Sequence, residues 1–117
     1  MAKLITRGEF WVVNLEPAFG REIHKKRPAL IISDNSVNQG TYHVIVIPSS
    51  SIVPVSYTSE IIDLGKPRGF DEHSVLVPVL IRSIDQDRLI KKIGQISKSK
   101  LQEVEEAVKL VLGLEQL

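Results

Sequence analysis

The sequence predicts a mainly β protein, a small and strongly bent antiparallel barrel with short helices attached. Two observations support this fold class. Several short runs of β-branched and aromatic residues are separated by Gly- and Pro-containing turn signals. The spacing at which apolar residues recur changes from about two residues to about 3.6 residues only near the C-terminus. Because 117 residues are enough for one hydrophobic core, we expect a single domain spanning residues 1–117.

The first half of the chain predicts two strands around a polar loop. Glu9–Leu15 is rich in aromatic and β-branched residues, and a loop over residues 16–26 follows. Pro28–Ser33 predicts a buried strand that begins at its proline, where a missing N–H group does least harm. Asp34–Gly40 carries turn-forming residues and predicts a turn.

The second half predicts more short strands. His43–Ile47 is the clearest of them, and Pro48 is expected to end it. Pro78 indicates an edge, a bulge or a break in its strand. The remaining strands are predicted over Ile61–Leu64, Ser74–Leu80 and Lys92–Ile96.

The C-terminal segment predicts an amphipathic helix. Apolar residues recur at helical spacing between Leu101 and Val111, and charged residues lie off that stripe. Ser99 followed by Gln102 has the pattern of a capping box. Gly113 is a plausible end of the helix.

Composition argues against several classes of function. There is no cysteine, so thiol nucleophiles and disulfides are absent, and His43 and His73 have no partner at metal-ligand spacing. There is also no Gly-x-Ser-x-Gly elbow and no phosphate-binding P-loop. No segment has the length and hydropathy of a secretory signal or a membrane span. We therefore expect a cytoplasmic protein without a metal or cofactor.

Positive charge is concentrated near the N-terminus, although the net charge is only +1. Residues 1–28 hold six Lys and Arg side chains against three acids. Arg27 stands at the junction of the basic loop and a buried strand, where a guanidinium can be exposed while the backbone that carries it is held rigidly. Its planar donors suit a phosphate. The alternative is a strand-edge charge that opposes aggregation, and the residues alone leave both open.

Other side chains near this junction could serve a phosphate site. Lys25 and Lys26 could each neutralise one phosphate, and His24 could transfer a proton near neutral pH. Glu22 could anchor the arginine or take up a proton. The hydroxyl groups of Ser49–Ser51 follow a buried strand and could donate to a phosphate oxygen. Each of these residues taken singly also fits a solvated loop.

Four segments in order resemble the MazF/PemK family of toxin endoribonucleases. They read "RGEFWVVNLEP", "KKRPALIIS" preceded by Gly20 and Glu22, "HVIVIPSSS", and "VLIRSIDQDRLIKKIGQIS". The resemblance extends from about Arg7 to Leu114. One such segment is weak evidence, whereas several in the right order and at the right separations are specific.

The resemblance implies an SH3-like barrel that forms a homodimer and cleaves single-stranded RNA, typically mRNA, without a metal. It also implies a cognate antitoxin protein that covers the RNA groove. The catalytic residues implied by the resemblance are Arg27, Ser50 and Glu22. The residues expected to bind RNA are Phe19, His24, Lys25, Lys26 and Ser49.

Two positions depart from the family pattern. Ser50 stands where threonine is usual, so it keeps the hydroxyl group but loses the methyl group that restricts its rotamer. Val79 and Leu80 stand where many members carry an acid and a glutamine, and apolar side chains cannot hydrogen-bond to a base. This second departure motivates one alternative, a non-catalytic RNA- or protein-binding module. A gyrase-poisoning toxin on the same barrel is a third, related alternative.

Overall fold

The computed structural model describes residues 3–17, 19–20, 25–52 and 61–114 of the chain. Within these ranges, seven strands form one curled antiparallel sheet, accompanied by two α-helices and two 3₁₀ turns, Pro78–Leu80 and Gln86–Arg88. The prediction of a mainly β, antiparallel fold with short helices and a C-terminal helix is confirmed. The strands are β1 (Glu9–Asn14), β2 (Lys26–Ile31), β3 (His43–Ser50), β4 (Ile62–Gly65), β5 (Ser74–Leu76), β6 (Arg82–Asp85) and β7 (Leu89–Gln95), and the helices are α1 (Asn35–Gly40) and α2 (Lys98–Val111).

Strand β3 organises the sheet because it changes partner along its length. The strand order is β4-β5-β3-β2-β1-β7, and β6 also pairs with β3. The N-terminal part of β3 pairs with β6, the middle with β2, and Ser49 and Ser50 pair with β5. A strand shared by three neighbours must bend, and the bend curls the sheet. The end of β3 therefore lies between β2 and β5 in the strand order.

The curled sheet has a hydrophobic cluster on each face. One face buries apolar residues of β1, β2, β3 and β6, among them Val13, Ile31 and Val46. The other face buries Phe10 and Leu30 beneath α2, whose Val104 and Ala107 are also buried. Alternation along β1 and β2 supplies both clusters, as expected for strands covered on two sides.

The prediction of helix α2 is confirmed, but its N-cap is a different residue from the one predicted. Ser97 is the N-cap, and its side chain accepts a hydrogen bond from the Lys100 N–H group at 3.2 Å. The capping box predicted at Ser99 was therefore wrong by two residues, because the helix begins at Lys98 and already includes Ser99, so that the preceding serine is the cap. Gly113 follows the helix with φ +70°, so the predicted end is confirmed.

Three other predictions about local structure need correction. Asp34–Gly40 contains α1 rather than only a turn, because the Asp34 side chain accepts from the Ser36 N–H group and caps a short helix. Strand β3 continues past Pro48 to Ser50, since Pro48 pairs with Ala29 of β2 and the next two residues pair with β5. The strand predicted over Ser74–Leu80 ends at Leu76, and Pro78 begins a 3₁₀ turn, which is one of the breaks that the proline indicated.

Within the described ranges, no helix has the length and apolar character needed to cross a membrane.

Glu9 is a buried carboxylate at the start of β1, with only 5% of its surface exposed. Its Oε1 accepts hydrogen bonds from the Thr6 N–H group at 2.8 Å and from the Trp11 indole at 3.1 Å. Its Oε2 lies 2.8 Å from Lys92 Nζ on β7. Burial alone would raise the pKa of Glu9, but the bonds from Lys92, Thr6 and Trp11 together hold that pKa below its ordinary value.

We predict that Glu9→Gln lowers the free energy of unfolding by about 1–3 kcal/mol at neutral pH, because charge-assisted bonds at a buried site are lost. A carboxyl group with a lowered pKa in the folded state stabilises the fold above its unfolded pKa, and that contribution is lost as pH falls through the folded value. Urea unfolding at several pH values should therefore give Glu9→Gln a flatter acid limb than wild type.

The exposed Glu103→Gln serves as the control, and its pH profile should match wild type. An unchanged acid limb in Glu9→Gln would contradict the role assigned to Glu9.

Candidate functional site

Arg27 lies in β2 opposite Val13 of β1, one residue before Pro28. Its Nη1 donates a hydrogen bond to the Ser49 carbonyl oxygen at 3.1 Å, so the guanidinium is fixed to the end of β3. Burial lowers the pKa of Arg27 from its ordinary value. An arginine nevertheless stays protonated at neutral pH, so a fixed positive charge stands at the start of β2, beside the end of β3.

The serines at the end of β3 have their hydroxyl groups engaged in different ways. Ser49 is buried, and its Oγ donates to the Pro28 carbonyl at 2.7 Å. Ser50 is half-buried, and its Oγ donates to the Ile52 carbonyl at 2.7 Å and accepts from the Ile52 N–H group at 3.1 Å. Ser49 therefore ties β3 to β2, whereas the Ser50 hydroxyl belongs to a local turn.

The C-terminal end of the basic loop is held in place by the residues that follow β1. Lys25 has φ +74°, an unusual conformation for a residue other than glycine. Its N–H group donates to Glu16 Oε1 at 2.8 Å, and its carbonyl accepts from the Leu15 N–H group at 3.1 Å. Lys26 lies opposite Asn14 at the start of β2. Both lysine side chains are exposed, so their charges reach solvent next to Arg27.

A cavity of about 300 Å³ opens beside Arg27. Two cations, three serines and two acids line it together with apolar residues, which is the mixture of apolar surface and a few polar groups common in ligand sites. The lining residues are Val12, Lys26, Arg27, Pro28, Ser49, Ser51, Gly69, Phe70, Asp71, Glu72 and Ser74.

The structure brings together some of the predicted site residues. Arg27, Lys26 and Ser49 line the cavity, while Ser50 lies next to it in the chain without lining it. Phe19 is 85% exposed. Glu22 and His24 lie outside the described residues.

The acidic residues of the cavity were not predicted from the sequence. Asp71 and Glu72 line it from the segment that leads into β5. Phe70, just before them, is buried, and its ring meets the Phe10 ring edge-on with centroids 5.1 Å apart. Two adjacent acids directly after a Gly-Phe turn are a pattern that could have indicated a site. No sequence pattern, however, indicates that this turn lies beside β2.

A second concave surface lies between the sheet and α2 and encloses about 450 Å³. It is mostly apolar, and the ion pair of Arg7 and Glu105 at 2.6 Å lies at it. We call it the α2 groove; its lining residues are Arg7, Ile32, Ser33, Ile45, Ile81, Glu105, Val108 and Lys109. Val79, one of the two departures from the family pattern, lies on the 3₁₀ turn that contacts α2, and it is 43% exposed. Neither Val79 nor Leu80 lines the cavity beside Arg27.

Comparison with known proteins identifies the family. The model for the "PemK-like, MazF-like toxin of type II toxin-antitoxin system" matches residues 6–112. This chain belongs to that PemK/MazF-like toxin family. One relative is the endoribonuclease MazF9 of Mycobacterium tuberculosis, 32% identical over 116 residues, a match that covers 95% of this chain and 98% of the relative.

Solved structures share the fold of this PemK/MazF-like chain. The crystal structure of MazF from Deinococcus radiodurans matches with a TM-score of 0.78 at 22% identity, covering 95% of this chain and 98% of the other. An endoribonuclease from a mycobacterial species, solved in complex with its cognate antitoxin, matches with a TM-score of 0.74 at 17% identity over 98% and 99% of the two chains. The family resemblance read from the sequence is therefore confirmed.

Proposed function

We propose that this protein is a metal-independent endoribonuclease toxin that cleaves single-stranded RNA, including mRNA, in the cytoplasm. The observation that carries the proposal is the Arg27 guanidinium, fixed on the Ser49 carbonyl and lining an open cavity. Family membership supports it, as does the name endoribonuclease carried by a relative 32% identical over nearly the whole chain.

The proposed reaction uses the substrate's own nucleophile. The ribose 2′-hydroxyl attacks the adjacent phosphorus, the bond to the 5′-oxygen of the next nucleotide breaks, and a 2′,3′-cyclic phosphate and a 5′-hydroxyl result. Negative charge builds on the non-bridging oxygens in the transition state. A prepositioned guanidinium stabilises that charge without reorganising during the reaction, which is the role we assign to Arg27.

We assign Ser50 to a non-bridging oxygen or to orienting the attacking hydroxyl. Its Oγ donates a hydrogen bond to the Ile52 carbonyl. To donate to a phosphate instead, the hydroxyl group must first break that hydrogen bond. The adjacent Ser49 hydroxyl is committed to Pro28 and stays a structural tie, so its contribution to RNA binding would come through its position at the cavity. Glu22 is proposed as the partner for proton transfer on the strength of the family pattern.

The remaining candidate residues would bind the single-stranded RNA. Lys25 and Lys26 present exposed charges beside the cavity and would each neutralise a phosphate. The exposed ring of Phe19 would stack on a base, as aromatic side chains do in single-strand binding sites. His24 is proposed to contribute to the same surface from the basic loop.

We predict that Arg27→Ala lowers the rate of RNA cleavage at least about 100-fold, because loss of one transition-state donor commonly costs 10²–10³ in rate. Arg27→Lys should recover only part of the activity, because an ammonium group keeps the charge but lacks the planar fork. The measurement is single-turnover cleavage of a mixed-sequence RNA in excess chelator, and both variants are first checked for folding.

Lys98→Ala, which removes an exposed cation at the start of α2, controls for the loss of one positive charge and should cleave as wild type. Equal rates for wild type and Arg27→Ala would contradict the proposal. Salt-sensitive RNA retention without any product would instead favour the non-catalytic binding module.

A cognate antitoxin and a second copy of the chain are proposed as protein partners. Complexes of relatives with their antitoxins support the first. For the second, the α2 groove offers an apolar surface, and Val79 and Leu112 beside it expose 43% and 51% of their surface. Apolar surface of this kind is common at interfaces between subunits.

We predict that wild type has twice the 13.1 kDa mass of one chain and that Ile45→Glu, in the α2 groove, has the mass of a monomer. A charge at an apolar interface must be desolvated without a partner, which opposes association. Light scattering during gel filtration measures the mass. Ile90→Glu on β7, at a comparably exposed isoleucine outside the groove, should remain dimeric. A dimeric Ile45→Glu variant would show that copies associate through another face.

A further inference from the structure

The cavity beside Arg27 is lined by groups of both charge signs. Lys26 and Arg27, on β2, form what we call its basic side, and Asp71 and Glu72, on the segment before β5, form its acidic side. A site built only for a polyanion has no use for two carboxylates, because they repel phosphate at close range. Their presence therefore separates the cavity into a part that suits a phosphate and a part that suits another group of the same ligand.

The space between these sides has the character of a nucleobase site. Val12, Pro28 and Phe70 contribute apolar surface. Single-stranded RNA presents bases that are free to leave the stack, and proteins recognise them by apolar or stacking contact together with hydrogen bonds to their edges. An ionised carboxylate only accepts hydrogen bonds, so it pairs with base edges that carry N–H donors.

The acidic side is held in place from both ends. Phe70 is buried against Phe10, and the side chain of the buried Ser74 donates to the Glu72 carbonyl at 3.0 Å. Gly69 has φ +92°, and a Cβ atom there would lie 2.7 Å from the Ile93 carbonyl oxygen, so this turn sits directly on β7. Carboxylates on a segment anchored in this way can discriminate between bases, because their position does not adjust freely to each ligand.

We propose that Asp71 and Glu72 are the specificity-determining residues of this site, which select an amino-bearing base next to the cleaved phosphate and disfavour uracil. The inference rests on the proposed ribonuclease function. Guanine, adenine and cytosine each carry an exocyclic amine that donates to a carboxylate. Uracil instead offers two carbonyl groups flanking one N–H, and those carbonyls repel a carboxylate.

The test uses short single-stranded RNAs that differ only in the base on each side of a mapped cleavage site. Wild type, Asp71→Asn, Glu72→Gln and the double variant are compared. Wild type should favour amino-bearing bases over uracil at one of these positions. The double variant should reduce that preference about fivefold or more, because a carboxamide also donates to carbonyl groups. Glu103→Gln/Glu106→Gln on α2, which removes two acids that do not line the cavity, should keep the wild-type preference.

Binding is measured in parallel with oligonucleotides that carry a 2′-deoxyribose at the attacking position, which removes the nucleophile. If wild type does not cleave but binds with this preference and the double variant loses the preference, the ribonuclease proposal fails and the selection by Asp71 and Glu72 holds. If wild type cleaves and the double variant keeps the wild-type base preference, the inference is overturned and the ribonuclease proposal holds. A rise in rate that is equal for all four bases would also overturn it, since the acids would then act only by repelling the backbone.

Discussion

The hydrogen bond from Arg27 Nη1 to the Ser49 carbonyl connects the parts of this molecule that matter for its function. It joins the start of β2 to the end of β3, where Ser49 and Ser50 also pair with β5. The Ser49 hydroxyl adds a second tie to Pro28, so the same two strands are joined twice at this point. The arginine is therefore held rigidly where it lines the cavity.

The distribution of charge explains how a nearly neutral protein can handle a polyanion. The cations that surround Arg27 come from the end of one loop, and the acids that line the cavity come from the segment before β5. These opposite charges cancel in the net charge, which therefore indicates neither group. In the account proposed here, the basic side holds the backbone and supplies transition-state stabilisation, while the acidic side discriminates between bases. Affinity and specificity thus depend on different elements of the fold.

The sequence predicted the fold class and the strands well, because β-branched runs and proline or glycine punctuation are local signals. The same signals misplaced the details that depend on tertiary context: the cap at Ser97, the helix after Asp34, and the continuation of β3 through Pro48. The position of Arg27 at a junction could be predicted from its place before a buried strand. The approach of Asp71 and Glu72 to it could not, since no local pattern specifies which strand β5 joins.

The chemistry of the newly formed RNA ends tests the central claim most directly, because it reports which oxygen attacked the phosphorus. Products from a long mixed-sequence RNA, cleaved by the wild-type protein in excess chelator, are analysed by mass spectrometry. The account predicts 2′,3′-cyclic phosphate ends paired with 5′-hydroxyl ends. Products with 3′-hydroxyl and 5′-phosphate ends would contradict it, because an external water would then be the nucleophile and the ribose hydroxyl would have no part in cleavage.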